Sequence, residues 1–361
     1  MATTATKPRG IYNSGNTCYI NSILQCVLRT KNLKTTLANM AKGSPQHTII
    51  WEIGKLISDM SMSPASSIAP YNATGLVRAL EKQIGDILVI RRQNDIHEFF
   101  SVLVNHLATE SASRYMFKNC SPVSSDDLTI RNLDKSCMDA WERFHKIDYT
   151  PLVDSVFGQN IVQIQCGNAK CHSITHNYEP FMAIEVPVPV HAADLPTDDN
   201  TIPDAARCIS NYMTENSIIN SVGSEREWKC DSCNECHVSK RTTKIWRCPR
   251  TLIVCLKRFT MNKNARGGLE LKKVSSMINI NRSINLEIGN HVINPSMKTK
   301  YALCGVACHS GTTYGGHYYS LVRKGQTWYF IDDNDVQTIT RFEEFHYRDA
   351  YMFFYNVMAQ K

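Results

Sequence analysis

The chain of 361 residues carries 40 lysines and arginines against 33 acidic residues, a net charge of +7, and 43% of its residues are hydrophobic. This composition agrees with a single large globular domain. The basic residues are spread along the chain without interleaved aromatic residues, which argues against nucleic-acid binding. Short basic groups such as Arg91-Arg92 and Lys272-Lys273 are predicted to be solvated surface.

The sequence has no segment typical of export or of membrane insertion. Residues 1–8 lack the apolar centre of a signal peptide, and no stretch approaches the ~18 consecutive apolar residues that span a bilayer. The 14 cysteines are therefore expected in a reducing compartment, the cytoplasm or the nucleus, as free thiols or metal ligands. No membrane partner is predicted.

The first predicted element is a helix that starts beside Cys18. Apolar residues at helical spacing predict a one-sided stripe: Ile20, Ile23, Leu24, Val27 and Leu28. Asn16 and Thr17 are N-cap candidates, so Cys18 falls in the first turn, where backbone N–H groups and the helix dipole favour a thiolate. Asn13 could donate to an oxyanion. A helical cysteine is more often a core residue, as we expect for Cys26.

A second helix is predicted after Asp95. Its apolar positions again recur at helical spacing, and we expect them to face the core: Ile96, Phe99, Phe100, Leu103, Val104 and Leu107. Asp95 and Glu98 have the spacing of a capping box, which predicts that the Asp95 side chain caps this helix.

Near the C-terminus the sequence predicts a β-hairpin. Residues 317–322 and 327–331 alternate as strands, and a turn signal lies between them. A hairpin folded about Lys324 and Gly325 places Asp332 opposite His317. A turn shifted by one residue places Asn334 there instead.

His317 is a candidate general base for the Cys18 thiol. A histidine beside tyrosines is more often structural, but a Gly-Gly pair precedes this one and Asp332 and Asp333 face it. An acid hydrogen-bonded to the ring would fix its tautomer and stabilise the imidazolium. Together the two ends of the chain predict a thiol nucleophile and its base.

Ordered blocks of the sequence resemble the ubiquitin-specific proteases, a family of papain-like cysteine deubiquitinases. The blocks are a cysteine box at residues 13–28, a Gln-Gln-Asp-x-x-Glu-Phe block at 93–99, a run ending Leu-Lys-Arg-Phe at 245–259, a histidine box at 315–320 and 328–333, and a closing strand at 351–355. Asn94 replaces the second glutamine of its block. The resemblance covers nearly the whole chain.

The resemblance implies an α+β, papain-like cysteine protease fold in one catalytic domain over residues 8–357. Within it a helical thumb would span about 8–115, β-structured fingers would lie within 155–250, and a β-structured palm would occupy mainly 252–357. We see no repeats and no added recognition domains in the sequence.

Carried over residue by residue, the resemblance implies Cys18 as nucleophile, His317 as general base and Asp332 as the partner that orients the histidine. It also implies Asn13 at the oxyanion position and Asp333 as a second acid near the centre.

Three further expectations concern the cleft beside these residues. The resemblance places Asp95 near the bound ubiquitin tail, and helix capping is an equally strong reading of the same residue. Residues 309–314 resemble a flexible loop beside the cleft. Tyr314 and Tyr318 could roof the cleft, and packing into the palm is the alternative for both.

The cysteines of the fingers suggest a structural zinc site. Cys230 and Cys233 have the two-residue spacing of a zinc knuckle. The resemblance implies Cys166 and Cys171 as the other pair, although four residues separate them. Four protein ligands would leave no open position, so Zn²⁺ would be structural and catalysis would need no cofactor. Competing ligands exist nearby, namely Cys236, His172 and His237, and the alternative is a finger that folds without metal.

The function implied is thiol-dependent hydrolysis of isopeptide or peptide bonds after the C-terminal glycine of ubiquitin. The expected partners are ubiquitin, ubiquitinated proteins and a protein that activates or targets the enzyme. Two other functions remain open: a catalytically weak scaffold that binds ubiquitin, and an enzyme for another ubiquitin-like modifier.

Overall fold

The structure is a computed structural model. It describes residues 7–62, 69–119, 121–123, 127–189, 202–214, 217–219, 228–263, 267–341 and 346–359. Mixed helices and sheets confirm the predicted α+β class.

The described helices are α1 (Cys18–Arg29), α2 (Lys31–Ala41), α3 (Ile49–Met62), α4 (Thr74–Ile84), α5 (Ile96–Ser111), α6 (Leu128–His145), α7 (Pro151–Val156) and α8 (Ala205–Thr214). The described strands are β1 (Gly158–Gln165), β2 (Ile174–Phe181), β3 (Ile184–Pro187), β4 (Ser217–Ile219), β5 (Ser239–Arg247), β6 (Thr251–Lys257), β7 (Phe259–Lys263), β8 (Leu269–Lys273), β9 (Ile278–Asn279), β10 (Asn285–Glu287), β11 (Lys300–Gly311), β12 (Gly316–Lys324), β13 (Thr327–Asp332), β14 (Asp335–Ile339), β15 (His346–Tyr347) and β16 (Ala350–Val357). None of these helices is long and apolar enough to cross a membrane.

Helix α1 lies between the other helices and the largest sheet. It packs against α2 and α5 on one side and against β11 and β12 on the other. Every residue from Cys18 to Leu28 is therefore buried. The five residues of the predicted apolar stripe are buried as expected, and so is Cys26, but the opposite, polar face of the helix is buried as well. Two of its buried polar side chains donate to neighbouring segments: Asn21 Nδ2 to Asp333 Oδ1 at 2.8 Å and Gln25 Nε2 to the Arg9 carbonyl at 2.8 Å, while Gln25 Oε1 has no partner among the described residues.

Helix α5 follows its predicted pattern. All six predicted core positions are buried. The Asp95 carboxylate caps the helix, since its Oδ1 accepts the backbone N–H groups of His97 and Glu98 at 2.8 and 3.0 Å. The capping prediction is confirmed.

The largest sheet has eight strands and carries the C-terminal half of the site. Seven strands run in the order β14-β13-β12-β11-β16-β6-β3, with β10 beside β11 and only β3 parallel to its neighbour. In the β12–β13 hairpin Lys324 pairs with Thr327, so the loop is Gly325-Gln326. Gly325 adopts the left-handed conformation, φ +64°, that two-residue loops require at this position. The predicted turn about Lys324 and Gly325 is one residue too early.

A second sheet, of order β2-β1-β5-β4, contacts α6 through β1 and β2 and contacts α8 through β5. Cys166 directly follows β1, and Cys171 lies in the connection to β2. Cys230 and Cys233 lie in the segment that leads into β5. Because β1 and β5 pair antiparallel, both cysteine pairs reach the same end of this sheet.

Arg258 is a fully buried cation just after β6. Its Nε donates to the Ala350 carbonyl at 2.5 Å, and its Nη1 donates to the carbonyls of Val274 and Ser276 at 2.8 and 3.0 Å. Burial lowers the pKa of this guanidinium to about 10, so it remains charged at neutral pH. The arginine of the Leu-Lys-Arg-Phe run therefore ties three backbone segments together.

We expect Arg258→Met to lower the free energy of unfolding by about 3 kcal/mol or more, because one buried and two partly buried carbonyls lose the charged donor. Urea denaturation followed by circular dichroism measures this loss. Arg92→Met, at an exposed position, is the matched control and should change stability little. Equal stability of the two variants would contradict this role of Arg258.

Candidate active site

The start of α1 meets the start of β12, which brings the two predicted motifs together. Cys18 is the first residue of α1 and is buried, with 6% of its surface exposed. The backbone N–H of Tyr318 donates to its thiol. Tyr318 directly follows His317, so the thiol lies one residue along the strand from the predicted base.

The protonation of Cys18 differs from the prediction. Burial raises the pKa of its thiol, and the charge of Asp333 raises it further. The N–H groups of Tyr318, Tyr19 and Cys18 itself lower the pKa, as a helix N-terminus should, but their effect is smaller. Among the hydrogen bonds of the described residues none joins Cys18 to His317. The isolated chain therefore holds a neutral thiol, and attack requires a base to remove its proton.

We expect alkylation of Cys18 by iodoacetamide to accelerate with pH up to and beyond 9.0, the ordinary pKa of the group, because its folded pKa is raised. Mass spectrometry of the peptide that contains Cys18 measures the rate. Asp333→Asn should shift the profile to lower pH, since it removes a charge that raises this pKa. A rate already at its plateau at neutral pH would instead indicate a preformed thiolate.

The His317 ring is held by Asp332. Its Nε2 lies 2.5 Å from Asp332 Oδ1. An ionised carboxylate can only accept, so we assign the proton to Nε2 and leave Nδ1 as the basic nitrogen. Ser320 pairs with Ile331, and continuing this register makes Asp332 a diagonal rather than a direct neighbour of His317. The predicted contact is present, whereas the predicted direct pairing is wrong: the ladder ends at Ser320 and Ile331, and only its continuation would place Asn334 opposite His317.

Asp333 binds two amides. Its Oδ2 accepts from Asn13 Nδ2 at 2.7 Å, and its Oδ1 accepts from Asn21 Nδ2 at 2.8 Å. Asp333 adopts a left-handed backbone, φ +49°, in the turn between β13 and β14, which aims its carboxylate at α1. The predicted second acid therefore contacts the oxyanion candidate. The sequence analysis did not find Asn21, although a polar residue one helical turn after Cys18 is a usable signal.

The Asn13 side chain has a defined orientation. Its Oδ1 accepts the backbone N–H groups of Gly15 and Thr17 at 3.0 and 3.2 Å, so the amide cannot be reversed without losing both bonds. One of the two N–H groups of Asn13 Nδ2 donates a hydrogen bond to Asp333. The other N–H group is available to donate to an oxyanion at the start of α1.

The two basic groups predicted to be solvated surface have different roles. Arg91 is exposed but donates to the Ser14 carbonyl at 2.6 Å and pairs with Glu81 at 2.6 Å, which ties it to the cysteine loop. The Lys273 side chain is only 7% exposed. Its ammonium donates to the carbonyls of His309 and Gly311 at 2.6 and 3.1 Å. The surface prediction is wrong for Lys273, which anchors the loop before His317.

A cleft of about 350 Å³ opens beside Cys18. The Gln93 amide crosses it and pairs with both backbone groups of Gly316, at 3.2 and 3.3 Å. A Cβ on Gly316 would collide with His309 and with the Ser310 carbonyl, so only glycine fits at this wall. Burial lowers the pKa of the neighbouring His309 to about 4, which keeps that ring neutral.

The two tyrosines predicted to roof the cleft differ in their exposure. Tyr314 is 90% exposed at the rim of the cleft, whereas Tyr318 is buried, with its ring centroid 4.7 Å from that of His309. Packing is therefore the correct reading for Tyr318. Asp95 also lines the cleft, but capping occupies its Oδ1 and the Tyr351 hydroxyl donates to its Oδ2 at 2.7 Å.

The four finger cysteines form one cluster. The ligand atoms of Cys166, Cys171, Cys230 and Cys233 all lie within 4.8 Å of one another. The Cys166–Cys233 and Cys171–Cys230 sulfur distances are 3.8 and 3.9 Å. Thiolates at about 2.3 Å from a tetrahedral Zn²⁺ are themselves about 3.8 Å apart, so the cluster fits this ion.

The competing ligands lie outside this cluster. Cys236 is exposed. The His237 ring bonds to Glu235 at 2.8 Å and approaches the Asn168 amide at 3.2 Å. His172 is not part of the cluster either. The sequence could not choose among these residues, because only the pairing of β1 with β5 brings the distant pairs together.

A thiol at a helix N-terminus, an imidazole and a carboxylate are the groups that cysteine proteases use for nucleophilic catalysis. The sequence profile of the ubiquitin carboxyl-terminal hydrolase family matches residues 9–355, and the chain belongs to that family.

Known proteins similar to this chain extend well beyond it. The chain is 29% identical to ubiquitin carboxyl-terminal hydrolase 5 of Saccharomyces cerevisiae, matching 96% of this chain and 44% of that protein. It is 26% identical to human ubiquitin carboxyl-terminal hydrolase 2, matching 97% of this chain and 55% of that protein. The chain thus spans about half the length of these relatives.

Solved structures share the fold. A chain of the SAGA DUB module Ubp8/Sgf11/Sus1/Sgf73 bound to ubiquitin aldehyde matches with a TM-score of 0.68 and 18% identity, over 100% of this chain and 72% of that chain. The same module bound to monoubiquitin gives a TM-score of 0.69 and 19% identity, over 99% of this chain and 71% of that chain.

Proposed function

We propose that this chain is a thiol-dependent deubiquitinase that cleaves isopeptide or peptide bonds after the C-terminal glycine of ubiquitin. The observation that carries the proposal is the juxtaposition of Cys18 with the strand that holds the His317–Asp332 pair. Family membership supports the same chemistry. The names of the relatives, ubiquitin carboxyl-terminal hydrolases, and the ubiquitin-bound structural neighbours support ubiquitin as the substrate.

In the proposed first step the Cys18 sulfur attacks the carbonyl carbon of the terminal glycine, and the thiol proton passes to Nδ1 of His317. General-base removal of the proton is needed because burial raises the pKa of the thiol. Asp332 accepts from Nε2 and stabilises the imidazolium that forms. The oxyanion accepts hydrogen bonds from the second N–H group of the Asn13 amide and from a backbone N–H group at the start of α1.

In the second step the carbon–nitrogen bond breaks and the imidazolium of His317 gives its proton to the leaving lysine amine. A thioester then joins Cys18 to the ubiquitin carboxyl terminus. His317, neutral again, takes a proton from water as the water attacks this thioester, and the thiol is released with its proton restored.

In this proposal Asp333 is a positioning residue. Its carboxylate holds the amides of Asn13 and Asn21 and so aligns the oxyanion donor against α1. The cleft wall at Gly315 and Gly316 is suited to an extended peptide tail that ends in glycine. A side chain on the wall or on the tail would keep the two backbones apart. Division into thumb, fingers and palm, cytoplasmic or nuclear location, and an activating or targeting partner stay predictions.

We further propose that Cys166, Cys171, Cys230 and Cys233 hold a structural Zn²⁺. The spacing of the four sulfur atoms supports the assignment. All four positions are protein ligands, so the ion would stabilise the fingers and take no part in hydrolysis.

Removal of one cysteine ligand should lower both the zinc content and the stability of the folded chain. We expect Cys230→Ser to lose most of the bound zinc, measured by plasma mass spectrometry after dialysis, and to lower the melting temperature. Cys236→Ser is the matched control, since this exposed cysteine lies outside the cluster. Equal zinc content in the two variants would contradict the ligand set.

Hydrolysis of ubiquitin carrying a C-terminal fluorogenic amide tests the proposed activity. We expect turnover by the chain and none by Cys18→Ala. Parallel substrates made from other ubiquitin-like modifiers test the substrate. Turnover of one of these alone would replace ubiquitin, and binding of ubiquitin without turnover of any substrate would support the scaffold instead.

A further inference from the structure

The segment between α4 and α5 contacts both halves of the candidate active site. On the cysteine side, Arg91 Nη1 donates to the Ser14 carbonyl at 2.6 Å, and Asn16 Nδ2 donates to the Arg91 carbonyl at 3.1 Å. An ion pair with Glu81 of α4, at 2.6 Å, orients the guanidinium. Ser14 and Asn16 belong to the loop that leads into Cys18, so Arg91 restrains the approach to the nucleophile.

On the histidine side, Gln93 pairs with the backbone as a neighbouring strand would. Its amide nitrogen donates to the Gly316 carbonyl at 3.2 Å, and its amide oxygen accepts the Gly316 N–H at 3.3 Å. Both backbone groups of a strand residue point to the same side of the strand, and β11 lies on the other side of β12, with Gly311 opposite Gly316. The Gln93 amide therefore holds the edge of β12 that faces away from β11.

This edge of β12 lies beyond the strand ladder that covers the rest of it. The β12–β13 ladder begins at Ser320, four positions after Gly316. Gly315 and Gly316 directly precede His317, and glycine allows a wider range of backbone conformations than any other residue. Without the two hydrogen bonds to Gln93, the backbone that carries the base would be less constrained on this side.

We propose that Arg91 and Gln93 act as one bridge that holds the cysteine loop and the start of β12 at a fixed separation. Both are then positioning residues for the nucleophile and its base, so the inference rests on the proposed hydrolysis. Their segment is fixed beside the nucleophile, because the Tyr19 hydroxyl donates to the Ile90 carbonyl at 2.7 Å and accepts from Asn94 Nδ2 at 3.1 Å. A shift of either half of the site would have to break hydrogen bonds at one end of the bridge.

The bridge should affect turnover far more than stability. Arg91 and Gln93 are both exposed, and hydrogen bonds and ion pairs at exposed positions contribute little to the free energy of unfolding. Misplacement of a catalytic group by about 1 Å, in contrast, can lower a rate by about 100-fold. Loss of turnover without loss of stability therefore distinguishes a positioning role from a structural one.

Steady-state hydrolysis of a fluorogenic ubiquitin substrate by Arg91→Met, Gln93→Met and the double variant tests the inference. We expect each single variant to lower kcat about tenfold, with KM and the melting temperature nearly unchanged. Loss of either end releases the same constraint, so the double variant should lose little more than a single variant does, rather than about 100-fold. Arg92→Met is the matched control, because this exposed arginine lies between the two and should keep the turnover of the wild type.

Amide hydrogen exchange of the free chain, followed by NMR, tests the histidine end of the bridge without any substrate. In Gln93→Met the Gly316 N–H loses its acceptor, so its exchange should accelerate about tenfold, whereas Arg92→Met should match the wild type. Gln93→Glu keeps an acceptor for this N–H but loses the donor to the carbonyl, so its protection should be intermediate.

Three results would overturn the bridge: unchanged exchange of the Gly316 amide in Gln93→Met, losses of kcat that multiply in the double variant, or a raised KM with unchanged kcat in Gln93→Met. The last result would mean that Gln93 binds the substrate tail instead. A wild-type chain that turns over no ubiquitin substrate contradicts the proposed function, and the exchange rate then still decides for or against the contact of Gln93 with β12.

Discussion

Asp332→Asn should lower kcat by about a thousandfold or more while the protein stays folded. An amide can donate to Nε2 of His317, which moves the ring proton to Nδ1 and leaves that atom unable to accept the proton of Cys18. The thiol depends on this acceptor because burial raises its pKa. Asparagine is nearly isosteric with aspartate and the Asp332 side chain is half-exposed, so the substitution should not change the packing around it.

Steady-state hydrolysis of a fluorogenic ubiquitin substrate measures this loss, with melting temperature as the check on folding. Asp335→Asn is the matched control, because this exposed residue lies three positions further along and contacts Gln337. KM should be almost unchanged in Asp332→Asn, since the pair acts on proton transfer rather than on ubiquitin binding. Turnover close to that of the control would refute the orienting role of Asp332.

Asn13→Ala should lower kcat by about 100- to 1000-fold, the usual result of removing one oxyanion donor. The side chain holds one N–H bond ready beside the start of α1 and is aligned by Asp333. It also accepts two backbone N–H groups of the cysteine loop, so the effect of a disturbed loop must be separated from the loss of the donor.

Thr17→Ala provides that separation. The Thr17 hydroxyl contacts Asn13 Oδ1 at 3.1 Å and belongs to the same loop, but it is not the proposed donor. Asn13→Ala should weaken inhibition by ubiquitin aldehyde, whose thiol adduct carries an oxyanion, far more than Thr17→Ala does. Both variants should bind unmodified ubiquitin as the wild type does. Equal inhibition of Asn13→Ala and wild type by the aldehyde would exclude the oxyanion role.

Sequence periodicity predicted burial correctly where the buried face of a helix coincides with its apolar face. Helix α5 has one buried face and a charged cap, so its core positions and the role of Asp95 followed from spacing alone. Helix α1 is enclosed by helices and sheet together, so its polar residues are buried as well. A polar residue outside an apolar stripe is expected to face solvent, which is why Asn21 escaped prediction although its place one turn after Cys18 is a usable signal.

The sequence predicted which candidate residues meet but not how they meet. The contact of Asp332 with His317 is confirmed although the hairpin register from which it was predicted is wrong, because diagonal as well as direct neighbours can reach across a strand pair. The position of Asp333 depends on a left-handed turn residue that the sequence does not reveal. The protonation of Cys18 depends on how burial compares with the helix N-terminus, a balance that only the packed structure supplies.

The most direct test of the account is reaction with ubiquitin bearing a C-terminal electrophile, followed by intact-mass spectrometry. The account predicts a single ubiquitin adduct on the wild-type chain, located at Cys18 by peptide mapping and missing from Cys18→Ala. The matched variant Cys26→Ala, which removes a buried core cysteine of the same helix, should still form the adduct if it folds. No adduct from folded wild-type protein, or an adduct that persists in Cys18→Ala, would contradict the assignment of Cys18 as the nucleophile.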